Sequence, residues 1–189
     1  MSPLAGLPVA DPWFATERVG DDITRIDEPH VHPLLRCNVW HVAGRDRDLV
    51  VDTALGLASL RSVVEEVTDR PLLAVATHAH SDHVGGMHEF DERAIHPAEA
   101  EAIAEGGLAS VEVAHFPEES VLGPYRAAGD AIYDGPLLDE LETSDLDDYL
   151  RTIRRLRGLP VTVVHGGHEP SFGRARLVEL CDAFLALRG

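Results

Sequence analysis

Thr77-His78-Ala79-His80-Ser81-Asp82-His83-Val84-Gly85-Gly86 places four potential metal ligands, His78, His80, Asp82 and His83, within six positions and closes on two glycines. The apolar run 72–76 that precedes it has the length and small-residue ending of a buried strand. Residues i and i+2 of an extended strand end point the same way, so His78 and His80 can present their rings to one point. After a turn, Asp82 and His83 can face that point from the other side. Imidazole nitrogens with a carboxylate suit zinc or a similar divalent ion. The blander alternative, surface histidines with a helix-capping Asp, does not account for three histidines and an Asp in this order behind an apolar run.

The chain around it has 189 residues, 44% hydrophobic and 26% charged, with a formal net charge of −17. That is enough for one domain, 1–189, with a substantial core. The charge argues against a nucleic-acid backbone or an anionic membrane as a default partner, although metal ions can locally reverse the field, so acidity does not exclude nuclease chemistry. Cys37 and Cys181 are the two cysteines. They form no CxxC pair, so neither a disulfide framework nor a cysteine zinc site is expected. No cationic leader and no long apolar run stands out, which reads as a soluble, cytoplasmic protein.

Upstream, 13–25 reads as a hairpin turning at Gly20-Asp21-Asp22. Residues 38–42 and 49–51 read as a second strand pair, ending in Asp52-Thr53. A carboxylate there can fix a loop through backbone N–H groups or support a ligating histidine from behind. Leu60, Val63, Val64 and Val67 share one helical face, with Ser59 as the N-cap. Downstream of Gly86 lies a short polar segment, then a helix over 98–105 opened by His96-Pro97, with His96 read as a structural residue at a strand end. Residues 108–128 show no clear periodicity, and 109–114 has room for a short strand. Ser144 caps a helix containing Tyr149, Ile153 and Leu156, with arginines near its end. Residues 161–164 read as a buried strand that leads into His165-Gly166-Gly167-His168 and repeats the logic of the opening stretch. His168 is the next ligand expected and His165 a structural residue. A closing helix over 174–187 would turn Leu177, Leu180, Cys181, Phe184 and Leu187 inward.

Thr-His-Ala-His-Ser-Asp-His at 77–83 resembles the HxHxDH signature of the metallo-β-lactamase superfamily. Val50-Val51-Asp52-Thr53, Gly129-Asp130 and Gly167-His168 fall in the order that superfamily uses. The resemblance implies an α+β fold, a four-layer αββα sandwich with its metal site at one edge. It implies two divalent metal ions, zinc first with iron or manganese as alternatives. His78 and His80 would bind one ion, Asp82, His83 and His168 the other, and Asp130 would bridge. Two ions about 4 Å apart can share a hydroxide and polarise a carbonyl. The implied reaction is hydrolysis of an ester, thioester, lactone or amide in a small-molecule substrate, with Asp82 also holding the nucleophile or moving its proton. Tyr133, beside the bridging Asp, is read first as a packing residue and second as a substrate contact.

The chain departs from the family in one respect. A further histidine normally precedes the Gly-Asp, and about twenty residues between Gly107 and Ala128 are too few for the usual strands. Three explanations stand open: a segment of roughly fifty residues absent near 124–128, a true deletion with weakened metal binding, or Glu119 in the histidine's place. The second sheet would then be incomplete. The competing class is a degenerate domain of the same fold acting as a non-catalytic binding module.

Overall fold

A computed structural model describes residues 10–104, 132, 134, 135 and 146–189. The 109–114 stretch, Glu119, the 124–128 junction, Asp130, Tyr133 and the Ser144 cap lie outside these residues. The chain divides into two compact units, Met1–Leu108 and Ala109–Gly189.

The first unit is built on one six-stranded sheet in sequential order. Its strands are β1 (Ala15–Arg18), β2 (Ile23–Asp27), β3 (Val39–Val42), β4 (Asp48–Val51), β5 (Leu72–Ala76) and β6 (Glu92–Ile95). The first four strands pair antiparallel, whereas β4–β5 and β5–β6 are parallel. The change to parallel pairing requires a crossover, and helix α1 (Leu60–Val67) supplies the first. Ser59 Oγ accepts from Ser62 N at 3.3 Å, so the N-cap forms as expected. Leu60 and Val64 point inward and are fully buried with Ile26, Val39, Val50, Ala74 and Phe90. Each large apolar side chain in such a core contributes about 1.5–3 kcal/mol.

His96 follows a strand end, as expected, and the strand is β6, which takes up part of the polar segment. Glu92, Arg93 and Ala94 are exposed on this edge strand, so no alternation marks it. The helix read over 98–105 is a 3₁₀ turn, Pro97–Glu99, followed by α3 (Ala100–Ala104).

The second unit packs α4 (Leu146–Arg157) on α5 (Arg174–Arg188) around Ile132, Leu150, Ile153, Leu177, Cys181 and Phe184. Tyr149 meets Phe184 edge to face, with ring centroids 5.0 Å apart. Arg157 Nη2 donates to Asp182 Oδ2 at 3.0 Å across the pair. Two expectations are corrected here. The strand read over 161–164 reduces to β7 (Val163–Val164), paired with β8 (Phe172–Gly173), and Val163 is 49% exposed rather than buried. Leu187 is 75% exposed, because it lies in the last turn of α5, past the buried Phe184. No helix among the described residues is long and apolar enough to cross a membrane.

Candidate metal centre

The C-terminal ends of β4 and β5 build the site within the first unit. From Ala76 the chain bends through Thr77 to His80 and enters α2 (Ser81–Val84), a single helical turn carrying Asp82 and His83. Both side chains are buried. The rings of His78 and His83 lie 4.1 Å apart between centroids, and those of His78 and His80 4.5 Å apart. Three imidazoles therefore meet at one place, as the spacing predicts. His83 Nε2 is 3.5 Å from Asp82 Oδ2.

Asp52 organises this group. Its carboxylate is almost fully buried at the end of β4. Oδ2 accepts from His83 Nδ1 at 2.8 Å. Oδ1 accepts from Thr77 N at 2.8 Å and from Thr77 Oγ1 at 2.9 Å. Both roles read from the sequence are realised at once: Asp52 fixes a backbone and supports a histidine.

The hydrogen-bond directions follow from donor and acceptor chemistry. An ionised carboxylate only accepts, so His83 carries a proton on Nδ1, and in the neutral ring its lone pair is at Nε2. Thr77 spends its one hydroxyl proton on Asp52, so His78 Nδ1 donates to Thr77 Oγ1 at 3.0 Å. His78 Nε2 then accepts from His80 Nδ1 at 2.9 Å. These tautomers leave Nε2 unprotonated on all three rings, as ligation requires, and His78 would exchange its bond from His80 Nδ1 for a metal. The donor set fits a metal ion on these grounds. Thr77 was not singled out in the sequence, since a threonine before a histidine has no distinctive signature.

The loop after β4 is stitched to α2. Thr53 N donates to His83 O at 2.8 Å, Gly85 N to Ala54 O at 2.9 Å and Gly86 N to Thr53 O at 3.1 Å. A Cβ on Gly85 would sit 2.2 Å from the Leu55 backbone, and one on Gly86 would sit 2.5 Å from Thr53 O. The two glycines that close the signature are therefore required by close backbone approach. Asp52 and Ala54 have positive φ, 62° and 56°. Such strain costs on the order of 1–3 kcal/mol and is found at functional sites.

Glu28 anchors the same loop from the other side. It is fully buried, accepting from Trp13 Nε1 at 2.8 Å and from Leu55 N at 3.2 Å. Burial raises its pKa against these hydrogen bonds, and the nearby Asp82 and Asp27 add to the rise. Burial also pushes the Cys37 thiol well up, with Asp52 and Asp82 adding to it, so Cys37 is an inert core thiol.

In the second unit His168 is buried and follows the β7 strand end, next to Glu169 at φ 61°. His165 Nδ1 lies 2.7 Å from Ser171 Oγ, and burial lowers its pKa. This structural role agrees with the sequence reading.

The family description "Metallo-beta-lactamase superfamily" matches residues 32–109. The acyl-coenzyme A thioesterase MBLAC2 of Homo sapiens is 33% identical, over 94% of this chain and 88% of its own length. The chain belongs to the metallo-β-lactamase superfamily. It is a metal-dependent hydrolase, and histidine and aspartate side chains cluster where its β4 and β5 strands end. The Bos taurus MBLAC2 is 32% identical over the same shares.

Solved members share the fold at lower identity. The metallo-β-lactamase FIM-1 from Pseudomonas aeruginosa, in a mono-zinc form, gives a TM-score of 0.65 at 20% identity, over 92% of this chain and 95% of that one. A metallo-β-lactamase from Hirschia baltica gives 0.61 at 18%, over 91% and 97%. The match to the human thioesterase runs over 248 residues, more than the 189 of this chain. Within the matched span that superfamily member therefore carries residues without counterparts here, in keeping with the short stretch between Gly107 and Ala128.

Proposed function

We propose that this chain hydrolyses acyl-coenzyme A thioesters with two zinc ions. The observation that carries the substrate class is the match to acyl-coenzyme A thioesterases over nearly the whole of both chains. His78 and His80 would hold one ion, and Asp82, His83 and His168 the other. Asp130, outside the described residues, would bridge them. The two units would be halves of one domain, and the compartment cytoplasmic.

When bound, the ions would supply Lewis acidity, making water nucleophilic near neutral pH and polarising the thioester carbonyl. The chain's own contribution is positional and protonic. Asp52 and Thr77 hold the imidazoles in the ligating tautomer. Asp82 would orient the attacking water and take its proton. Water oxygen bonds to the acyl carbon, the C–S bond breaks, and the proton passes to the departing thiolate. The products are a carboxylic acid and coenzyme A thiol.

The test is thiol release from acyl-coenzyme A substrates of graded chain length by zinc-loaded protein, before and after chelation. Release that stops on chelation and returns with zinc supports the reading. Turnover of oxygen esters or lactones with none of thioesters would reject the substrate class. The absence of both turnover and bound metal would leave the binding-module alternative.

A further inference from the structure

Strands β5 and β6 are parallel neighbours, with Ala76 opposite Ile95. Both chains leave the sheet at that level, on the edge where the histidines lie. β5 runs on into the ligand turn, and β6 runs on into the 3₁₀ turn Pro97–Glu99. The second turn is itself held in shape, because Ala98 N donates to His96 Nδ1 at 3.2 Å. Three residues past the sheet on one chain and four on the other, the two turns meet. Ala79 N donates to Glu99 Oε2 at 3.1 Å.

Ala79 is fully buried and sits between His78 and His80. Its amide is in the middle of the turn that aims both rings, and a buried amide without an acceptor is costly. A carboxylate forms a stronger bond to it than a neutral acceptor would. Asp52 grips the same turn two residues earlier, at the Thr77 amide. The turn is therefore gripped at two of its amides, Thr77 and Ala79, by carboxylates that follow different strands, one 25 residues earlier in the chain and the other 20 residues later.

We propose that Glu99 is a positioning residue for the metal site: its carboxylate fixes the Ala79 amide and so the angle between the His78 and His80 rings. The proposal rests on the reading of His78 and His80 as metal ligands. Contacts of this kind behind a ligand commonly govern metal affinity by 10- to 100-fold. Glu99 does not itself act as a ligand. A glutamine in its place keeps an acceptor oxygen for Ala79 and loses only the charge.

The test compares Glu99→Ala, Glu99→Gln and His80→Ala with the parent chain. Zinc affinity is measured by competition with a chromophoric chelator, and the visible spectrum of the cobalt-substituted protein reports ligand geometry. Circular dichroism of the metal-free proteins checks the fold. The expected result is about a tenfold or greater loss of zinc affinity and an altered cobalt spectrum in Glu99→Ala, with Glu99→Gln within a few-fold of the parent. Loss in Glu99→Gln equal to that in Glu99→Ala would overturn the positioning role in favour of direct ligation. Parent-like affinity and spectrum in Glu99→Ala, with His80→Ala impaired, would overturn the proposal alone. Parent-like affinity in His80→Ala would overturn the ligand assignment beneath it.

Discussion

Asp52 Oδ2 and His83 Nδ1 are 2.8 Å apart and buried, and the bond between them sets which nitrogen of His83 carries the proton. Asp52→Asn preserves shape and tolerates the positive φ, but it has one acceptor oxygen where Asp52 accepts from Thr77 and His83 at two, so an N–H₂ must face one of those donors. We expect zinc affinity to fall about 10- to 100-fold and stability to fall by about 1–3 kcal/mol, because buried donors lose a charged acceptor. Chelator competition and urea unfolding measure the two effects separately. An unchanged zinc affinity would refute the orienting role.

Thr77 links His78 to Asp52 through one hydroxyl. Thr77→Val keeps the branched shape and the backbone N–H bond to Asp52 while removing that link. The expected effect is smaller than that of Asp52→Asn: about 0.5–1.5 kcal/mol of stability and a measurable loss of zinc affinity. Equal loss in the two variants would show that the hydroxyl, and not the Asp52–His83 bond, dominates.

Gly85 lies against the Leu55 backbone, where a methyl group would meet carbon and oxygen at 2.2 Å. Gly85→Ala must therefore push the 52–56 loop away from α2 and break the Gly85 N to Ala54 O bond. The expected cost is about 1–3 kcal/mol, with weaker zinc binding, since the loop carries Asp52. Gly20→Ala is the control. Nothing lies within 4 Å of its added methyl, so its effect should stay within about 0.5 kcal/mol.

Glu28 gives a pH signature. Its folded pKa is raised above the ordinary 4.5, through burial first and its Asp82 and Asp27 neighbours after. The folded state therefore holds a proton that the unfolded state releases. The stability this contributes is fully present below the unfolded value and is lost as pH rises through the folded one. Glu28→Gln cannot ionise. Relative to the variant, the metal-free parent should lose stability as pH climbs from about 4 upward and level off once Glu28 is ionised. Urea midpoints across that range decide it; parallel curves for the two proteins would mean that Glu28 is not shifted.

These contacts show which parts of the site can be read from sequence. The histidine cluster, the 48–51 strand with Asp52 at its end, and the Ser59 cap are encoded in local order, and each forms. The strand that ends before His96 has no legible bounds, because Glu92, Arg93 and Ala94 lie exposed on an edge and show no period of two. The Ala79–Glu99 and Leu55–Glu28 bonds span 20 and 27 residues. Their glutamates look like any others in a chain with 33 acidic residues. Leu187 fits the helical period of α5, yet the helix outlasts its core and leaves it exposed. Period specifies the face of a helix, and packing decides how far along that face is covered.

The two histidines that flank Gly166-Gly167 should behave oppositely, although both follow one short strand. His165 is engaged with Ser171 through Nδ1, which ties the β7 end to the start of β8. His165→Ala should lower stability by about 0.5–1.5 kcal/mol and leave zinc content and kcat near parent values. His168 is buried, and in the proposed ligand set its imidazole binds the same ion as Asp82 and His83. His168→Ala should reduce kcat by more than about 100-fold, beyond what contacts behind a ligand achieve, and lower the zinc bound per chain. Metal analysis of the two purified variants alongside thioester turnover separates the roles. If His168→Ala retains full zinc and turnover while His165→Ala loses both, the ligand lies at the other end of the glycine pair and the proposed set must be redrawn.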